Sequence, residues 1–142
     1  MKSYNTEINW KGIGDYLSAA RTLSQHGSGN TSGPRIHCQG LALELALKYY
    51  LWDKNRAYLG THNLEILASK CQNINFSEEE TEDIKMLNAQ YLQDGEFSYP
   101  SRYRPAAMRI YVSISQNVLE MVISKIIRST SQPELLKRIL IR

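Results

Sequence analysis

Apolar residues recur every three or four positions along most of this chain, which is the spacing of one face of an α-helix. The spacing predicts helices over about residues 10–24, 34–53, 62–71, 78–93, 105–128 and 132–142. No segment shows the strict alternation that is typical of a half-buried strand. We therefore expect an all-α fold, an up-and-down helical bundle of four main helices with short additional helices.

The predicted helix over residues 34–53 is apolar on nearly all sides. Leu41 and Leu45 follow one seam of this helix, and Leu43 and Leu47 cover another side. A helix with this pattern lies in the centre of a bundle, or it has one face in a partner subunit. The pattern alone leaves both positions open.

Side chains that can cap a helix stand before several of these segments. Asn9 precedes the first predicted helix, where its side-chain oxygen can accept a hydrogen bond from a free amide of the first turn. Two Ser-x-x-Glu pairs, Ser77 with Glu80 and Ser131 with Glu134, predict capping boxes for the fourth and the last helix.

The fifth predicted helix is long, from Pro105 to Arg128, and its apolar residues alternate by four and three. Its predicted inward seam consists of Ala107, Tyr111, Ile114, Val118, Met121 and Lys125. Met108, Ile110 and Val112 lie off that seam. Together with the apolar central helix, these three residues predict a surface for a second copy of the chain.

The net charge of +3 is modest but unevenly distributed. Residues 57–100 carry two basic and eight acidic side chains, whereas residues 101–142 carry eight basic and two acidic ones. A basic C-terminal third can attract phosphates or an acidic partner surface. The two segments can equally face each other within the fold, so charge alone does not indicate nucleic-acid binding.

Length and composition limit the class of protein. The 142 residues fit one domain, residues 1–142, with a core over about 10–128 and a short last helix at 132–142. We expect Cys38 and Cys71 to be reduced thiols, because no Cys/His cluster with the spacing of a metal site accompanies them. No apolar run reaches about 18 residues, and the N-terminus lacks a signal-peptide pattern. We expect a cytoplasmic protein without a metal or a cofactor.

Two arginine–histidine pairs have a spacing that ribonuclease chemistry could use: Arg21 with His26, and Arg56 with His62. A histidine would move a proton, and an arginine would stabilise the charge that develops on the phosphate. Both side chains must then converge on one phosphate. In a short chain such spacings also arise by chance, so they indicate a site only weakly.

Residues 99–104 read YPSRYR and interleave aromatic rings with guanidinium groups. Arginine pairs with phosphate, and tyrosine can stack on a base. Arg102 and Tyr103 are therefore candidate ligand-binding residues. In the alternative interpretation, Tyr99 and Tyr103 pack the loop while Arg102 neutralises the acidic fourth helix.

Four motifs follow one another in the order ELALKYYL, THNLEIL, LNAQYL and YPSRYRP. In this order they resemble the HEPN domain family, the helical domain of higher eukaryotes and prokaryotes nucleotide-binding proteins. Glu44 and Lys48 match the family's Glu-x-x-x-Lys helix, and residues 61–64 match its Thr-His-(Asp/Asn)-Leu helix start. The family's Arg-Tyr-Pro segment is matched by Arg102, Tyr103 and Pro105, with Arg104 inserted.

The resemblance implies a helical bundle that often forms homodimers, with a link to nucleotides, RNA or nucleotidyltransferase partners. Many family members are ribonucleases, often toxins, that use an Arg-x4–6-His motif at or near the last long helix. No histidine follows His62 in this chain. The resemblance therefore implies a non-catalytic binding member.

We expect Lys48 and Arg102 to hold a phosphate, Tyr103 to stack on a base, and His62 to donate a hydrogen bond. The structural alternatives are a surface ion pair between Glu44 and Lys48, and a capping and packing role for His62 behind Thr61 as the helix cap. Two other functions stay open: a ribonuclease toxin that uses Arg56 and His62, and a purely structural dimer or antitoxin-like subunit.

Overall fold

The computed structural model describes residues 2–26, 32–92 and 114–141. Helices dominate this part of the chain, in agreement with the predicted all-α bundle. In chain order the helices are α1 (Trp10–His26), α2 (Ser32–Asn55), α3 (Leu64–Lys70), α4 (Glu78–Leu92), α5 (Gln116–Arg128) and α6 (Leu135–Ile141). No helix in the described ranges is long and apolar enough to cross a membrane.

Helix α2 occupies the middle of the bundle. It packs against α1, α3, α4 and α5, and its C-terminal half also contacts the segment that follows it. Ile36, Leu43 and Leu47 on α2 are almost completely buried. Elements of the same chain therefore surround this apolar helix, which is the central position that its pattern predicted.

Two of the predicted helix starts are confirmed. Asn9 Oδ1 accepts a hydrogen bond from the amide of Lys11 at 2.9 Å. Glu80 accepts from the Ser77 amide at 2.8 Å, while Ser77 Oγ accepts from the Glu80 amide at 3.0 Å. Ser77 and Glu80 thus satisfy each other's backbone donors, which fixes the start of α4.

The predicted cap of the third helix was wrong. Asn63, in an extended conformation, is the N-cap of α3, and its side chain accepts from the Ile66 amide at 3.1 Å. The Thr61 hydroxyl instead accepts from the Asn63 amide at 3.1 Å, in the turn before the helix. His62 therefore lies in that turn and not in the helix.

The prediction of one continuous helix from Pro105 to Arg128 was wrong at residues 114–115, and the predicted start at Pro105 lies outside the described residues. Ser115 is extended and caps α5 by accepting from the Val118 amide at 3.1 Å, so the helix begins at Gln116. A serine that hydrogen-bonds the first turn competes with continuation of the helix. Residues 105–113 lie outside the described residues, and with them the predicted off-seam positions Met108, Ile110 and Val112.

The predicted seam of α5 fails at Met121, which is 67% exposed. The buried face instead contains Leu119, Ile123 and Ile126, each of which is fully buried. Isoleucine, valine and leucine occupy so many positions of this helix that two overlapping seams fit the spacing. Contacts with α1, α2 and α6 select the seam that is buried.

The last capping box is replaced by a long-range contact. The Ser131 amide donates to Asp53 Oδ2 at 2.9 Å, and the Ser131 hydroxyl donates to Asp53 Oδ1. Helix α6 begins at Leu135. Ser131 therefore ties the segment before α6 to the C-terminal end of α2, and Glu134 is not its partner.

The structure contains two short strands that the sequence pattern did not predict. β1 (Ser3–Tyr4) pairs antiparallel with β2 (Tyr58–Leu59), so that Ser3 lies opposite Leu59 and Tyr4 opposite Tyr58. The Gly60 amide extends the pairing by donating to the Lys2 carbonyl at 2.7 Å. Two residues per strand are too few to show a period, so this sheet could not be predicted from alternation.

The acidic fourth helix and the basic last third meet at one described contact. Lys125 Nζ on α5 donates to Glu80 Oε1 on α4 and to the Asn75 carbonyl at 3.1 Å. This contact supports the interpretation in which the two charged segments face each other within the fold.

Candidate functional site around Glu44 and His62

A buried ion pair lies on the central helix. Glu44 and Lys48 are 4% and 8% exposed, and Lys48 Nζ lies 2.9 Å from Glu44 Oε2. The i,i+4 spacing offered a surface ion pair as the alternative to phosphate binding by Lys48, and the observed pair lies inside the bundle because α2 is the central helix. A buried pair is tolerated when further hydrogen bonds satisfy its remaining lone pairs and protons.

Two side chains from other elements supply those hydrogen bonds to Glu44. The Tyr91 hydroxyl on α4 donates to Glu44 Oε1 at 2.7 Å. His62 Nδ1 lies 3.1 Å from both carboxylate oxygens of Glu44. We call Glu44, Lys48, His62 and Tyr91 the Glu44 network. Its carboxylate receives donors from three elements of the fold.

The Glu44 contact determines how His62 presents itself to solvent. A carboxylate is an acceptor, so the Nδ1 atom that contacts it carries the hydrogen. The His62 side chain is 62% exposed, which leaves its other edge, with Nε2, towards water. That Nε2 atom accepts a hydrogen bond when the ring is neutral and donates one when the ring is protonated. His62 is thus an oriented, surface-accessible acid–base group.

The turn that carries His62 is anchored to α4. Asn88 is 3% exposed, and its Oδ1 accepts from the Leu64 amide at 2.8 Å. Asn88 Nδ2 donates to Asn63 Oδ1 at 3.0 Å, so one amide side chain contacts the residues on both sides of the helix start. Thr61 is 8% exposed, and its hydroxyl accepts from the amide of Asn63, the residue after His62. His62 therefore stands on a rigid support.

Aromatic side chains extend the site on the other side of Lys48. Lys48 Nζ lies 5.5 Å from the centre of the Tyr58 ring, within the range of a cation–π contact. Tyr58 stacks with Tyr4 at a centroid distance of 5.2 Å and an interplanar angle of 20°. Tyr4 remains 42% exposed. Contacts thus run continuously from His62 through Glu44 and Lys48 to this tyrosine pair.

Arg56, the proposed partner of His62 in a ribonuclease site, lies elsewhere. Its guanidinium stacks on Trp52 at 4.3 Å, and its positive φ of 56° ends α2 in a left-handed conformation. Trp52 follows Glu44 by eight residues, which is about 12 Å along a helix axis. His62 contacts Glu44, so Arg56 and His62 have different partners in the structure.

Of the other predicted site residues, the structure places Arg21 and does not describe the rest. Arg21 donates to Glu120 Oε2 at 3.2 Å and to the Leu140 carbonyl at 3.3 Å, which ties α1 to α5 and α6. The side chain of His26 lies outside the described part of the chain, as do Arg102 and Tyr103.

Sequence reasoning missed Tyr91 and Asn88 as members of this site. Both lie on the inward stripe of α4 together with Ile84 and Leu87, and all four are buried. A hydroxyl or an amide on an otherwise apolar stripe must find a hydrogen-bond partner inside the protein. This requirement indicated that Tyr91 and Asn88 have hydrogen-bond partners inside the protein, although it does not identify those partners.

Thiol and metal chemistry find no support in the described residues. Burial raises the pKa of the Cys71 thiol to about 12, and burial also raises that of Cys38, so neither thiol favours the reactive thiolate near neutral pH. Within the described ranges, no group of three His, Cys, Asp or Glu side chains could hold a metal ion.

Comparison with known families agrees with the order of motifs. The model of the HEPN domain matches residues 14–128, a range that contains the whole Glu44 network but not Tyr4. No curated protein and no solved structure matches the chain. Because the matched range covers most of the sequence, and because the chain forms the expected helical bundle, this protein belongs to the HEPN domain family.

Proposed function

We propose that this chain is a HEPN-type binding module that holds a phosphate-bearing ligand, a nucleotide or RNA, at the exposed edge of His62 without cleaving it. One observation carries the proposal: a buried carboxylate fixes His62 through Nδ1, while 62% of the side chain faces solvent. A protonated imidazole is a charge-assisted hydrogen-bond donor to phosphate oxygens. A histidine that only packs or caps a helix needs no such exposure.

Two lysines come close to the segment that carries His62, as does the acidic Glu65 of α3, whose Oε2 lies 3.3 Å from Asn88 Nδ2. The Lys2 carbonyl contacts the Gly60 amide, two residues before His62, and Lys2 is exposed. Lys48 balances the charge of Glu44, so the carboxylate that His62 contacts is already paired with a cation.

The position of Arg56 favours binding over cleavage. Ribonuclease chemistry by Arg56 and His62 needs both groups on one phosphate. The Arg56 guanidinium is stacked on Trp52, whereas the His62 imidazole contacts Glu44. The two groups are therefore held by different partners and do not contact each other through a shared residue.

Calorimetric titration with adenosine monophosphate and with a short oligoadenylate tests the proposal. We expect His62→Ala to weaken binding of either probe about tenfold, the effect of about 1.4 kcal/mol. Lys137→Ala, at an exposed position of α6, is the matched control and should bind as the unmodified protein does. Absence of binding, or equal binding by His62→Ala, would refute the proposal.

The ribonuclease alternative is tested with the same proteins. Under the proposal, the oligoadenylate stays intact after long incubation with the unmodified chain. Cleavage that disappears in both His62→Ala and Arg56→Ala would instead establish the ribonuclease. Cleavage that survives in both variants would indicate a contaminant.

The family resemblance also predicts a homodimer, which we include in the proposal. Light scattering over a wide range of concentrations measures the mass of the particle directly. A constant mass of one 16.3 kDa chain would contradict the dimer without affecting ligand binding at His62.

A further inference from the structure

We infer that Tyr4 is a stacking platform for the nucleobase of the ligand whose phosphate His62 holds. The inference rests on the proposed function and names a specificity-determining residue for it. Tyr4 precedes the range matched by the family model, residues 14–128.

The Tyr4 ring has the exposure of a platform and not of a core side chain. One face of Tyr4 is stacked on Tyr58, at 5.2 Å and 20° between the ring planes. Tyr4 nevertheless remains 42% exposed, so much of this residue stays accessible beside the stacked pair. Single-stranded nucleic acids and nucleotides bind to aromatic side chains in this way, because every base has a π-face.

Backbone pairing holds Tyr4 in that position. β1 pairs with β2, and the Gly60 amide donates to the Lys2 carbonyl at 2.7 Å. Gly60 also leaves room for the ring, since a Cβ atom there would lie 2.2 Å from Tyr4 Cε2. The sheet and the missing side chain of Gly60 together place the tyrosine against the segment that leads to His62.

Tyr4 and His62 are close enough to serve one ligand. Gly60 precedes His62 by two residues, a span of at most about 7 Å. Since the Tyr4 ring contacts Gly60, the ring edge lies within roughly 10 Å of the His62 backbone. Lys48 joins both sides of the site, because its ammonium contacts Glu44 and the Tyr58 ring.

Calorimetry with three probes tests the inference: adenosine monophosphate, ribose 5-phosphate and a short oligoadenylate. We expect the unmodified protein to bind adenosine monophosphate more tightly than ribose 5-phosphate. Tyr4→Leu keeps an apolar side chain over Gly60 but removes the aromatic face. This variant should bind adenosine monophosphate about 5- to 150-fold more weakly, because one base–aromatic stack is lost. Its affinity for ribose 5-phosphate should not change.

Two further variants serve as controls. Tyr4→Phe retains the ring and should bind all three probes as the unmodified protein does. Tyr16→Ala removes a tyrosine of similar exposure, 38%, from α1 and should also have no effect. Thermal unfolding of each variant establishes that the substitution has not destabilised the domain.

The outcomes separate this inference from the proposed function. Equal affinity for adenosine monophosphate and ribose 5-phosphate, or an unchanged Tyr4→Leu variant, overturns the platform while His62-dependent phosphate binding stands. Absence of binding for every probe overturns both. If binding of the oligoadenylate depends on Tyr4, the platform is supported and the base comes from RNA. If only binding of the mononucleotide depends on Tyr4, the platform is supported and the base comes from a free nucleotide.

Discussion

Tyr91 donates its hydroxyl to Glu44 Oε1 at 2.7 Å, although 47 residues separate the two side chains. This hydrogen bond joins the central helix α2 to α4 at the base of the candidate site. It leaves Glu44 with donors on both oxygens, from Tyr91, Lys48 and His62. The bond therefore couples the stability of the bundle to the orientation of His62.

Tyr91→Phe should lower the free energy of unfolding by about 1.5–3 kcal/mol. The substitution keeps the ring but removes a buried hydrogen bond to a charged acceptor. Urea denaturation measures the change, and Tyr16→Phe on α1 should shift the free energy by less than about 0.5 kcal/mol. Equal stabilities for the two variants would contradict the role assigned to this hydroxyl.

Gly40→Ala should destabilise the protein, although glycine inside a helix normally costs about 1 kcal/mol relative to alanine. A Cβ atom at Gly40 would lie 2.2 Å from Tyr91 Cδ1, and overpacking of a core typically costs about 1–3 kcal/mol. Gly12→Ala is the control, because its Cβ would meet only the flexible end of Leu45 at 3.1 Å. Urea denaturation should therefore give a lower free energy of unfolding for Gly40→Ala than for Gly12→Ala. The reverse order would be inconsistent with this packing.

His62 should be protonated at Nδ1 and unprotonated at Nε2 when the ring is neutral. Contact with both Glu44 oxygens requires the Nδ1 hydrogen. Long-range proton–nitrogen correlation spectra at about pH 8 distinguish the two tautomers. Glu44→Gln should produce a mixture, since an amide offers both a donor and an acceptor. An Nε2-protonated ring in the unmodified protein would refute the proposed orientation.

Glu80 should contribute to stability at neutral pH but not in acid. Partial burial alone would raise the pKa of Glu80, but hydrogen bonds from Lys125 and Ser77 lower it below its usual value. A carboxyl group whose pKa is lower in the folded than in the unfolded state stabilises the protein above its unfolded pKa. That contribution disappears as the pH falls through the folded pKa.

Glu80→Gln should therefore be less stable than the unmodified protein at pH 7, and the difference should shrink below about pH 4.5. Urea denaturation over a series of pH values measures it. Glu79→Gln is the control at an exposed neighbouring position and should show a much smaller difference. A difference that grows in acid would have the wrong sign for this mechanism.

Much of the fold was predictable because local interactions dictate it. The helical period, the Asn9 cap and the capping box of Ser77 with Glu80 all depend on residues within one or two turns of each other. The spacing of Glu44 and Lys48 likewise indicated their ion pair as the alternative to a phosphate-binding role for Lys48. The motif order sufficed for the HEPN family, since it needs only the sequence.

Local rules failed where distant partners compete for the same groups. Ser131 hydrogen-bonds Asp53, 78 residues away, and so does not form its predicted capping box. Met121 fitted an inward seam of α5, but packing against α1, α2 and α6 buries a different one. Spacing along one helix cannot decide between two apolar faces until the neighbouring helices are in place.

By itself, the sequence determined an all-α HEPN domain and an apolar second helix that carries Glu44 and Lys48. Only the tertiary structure decided that this pair is buried, that Tyr91 and His62 complete it, and that Tyr4 lies beside it. The physical reason is that hydrogen bonds and ring contacts depend on distances in space. Side chains separated by 18 or 47 residues approach each other only when the helices pack.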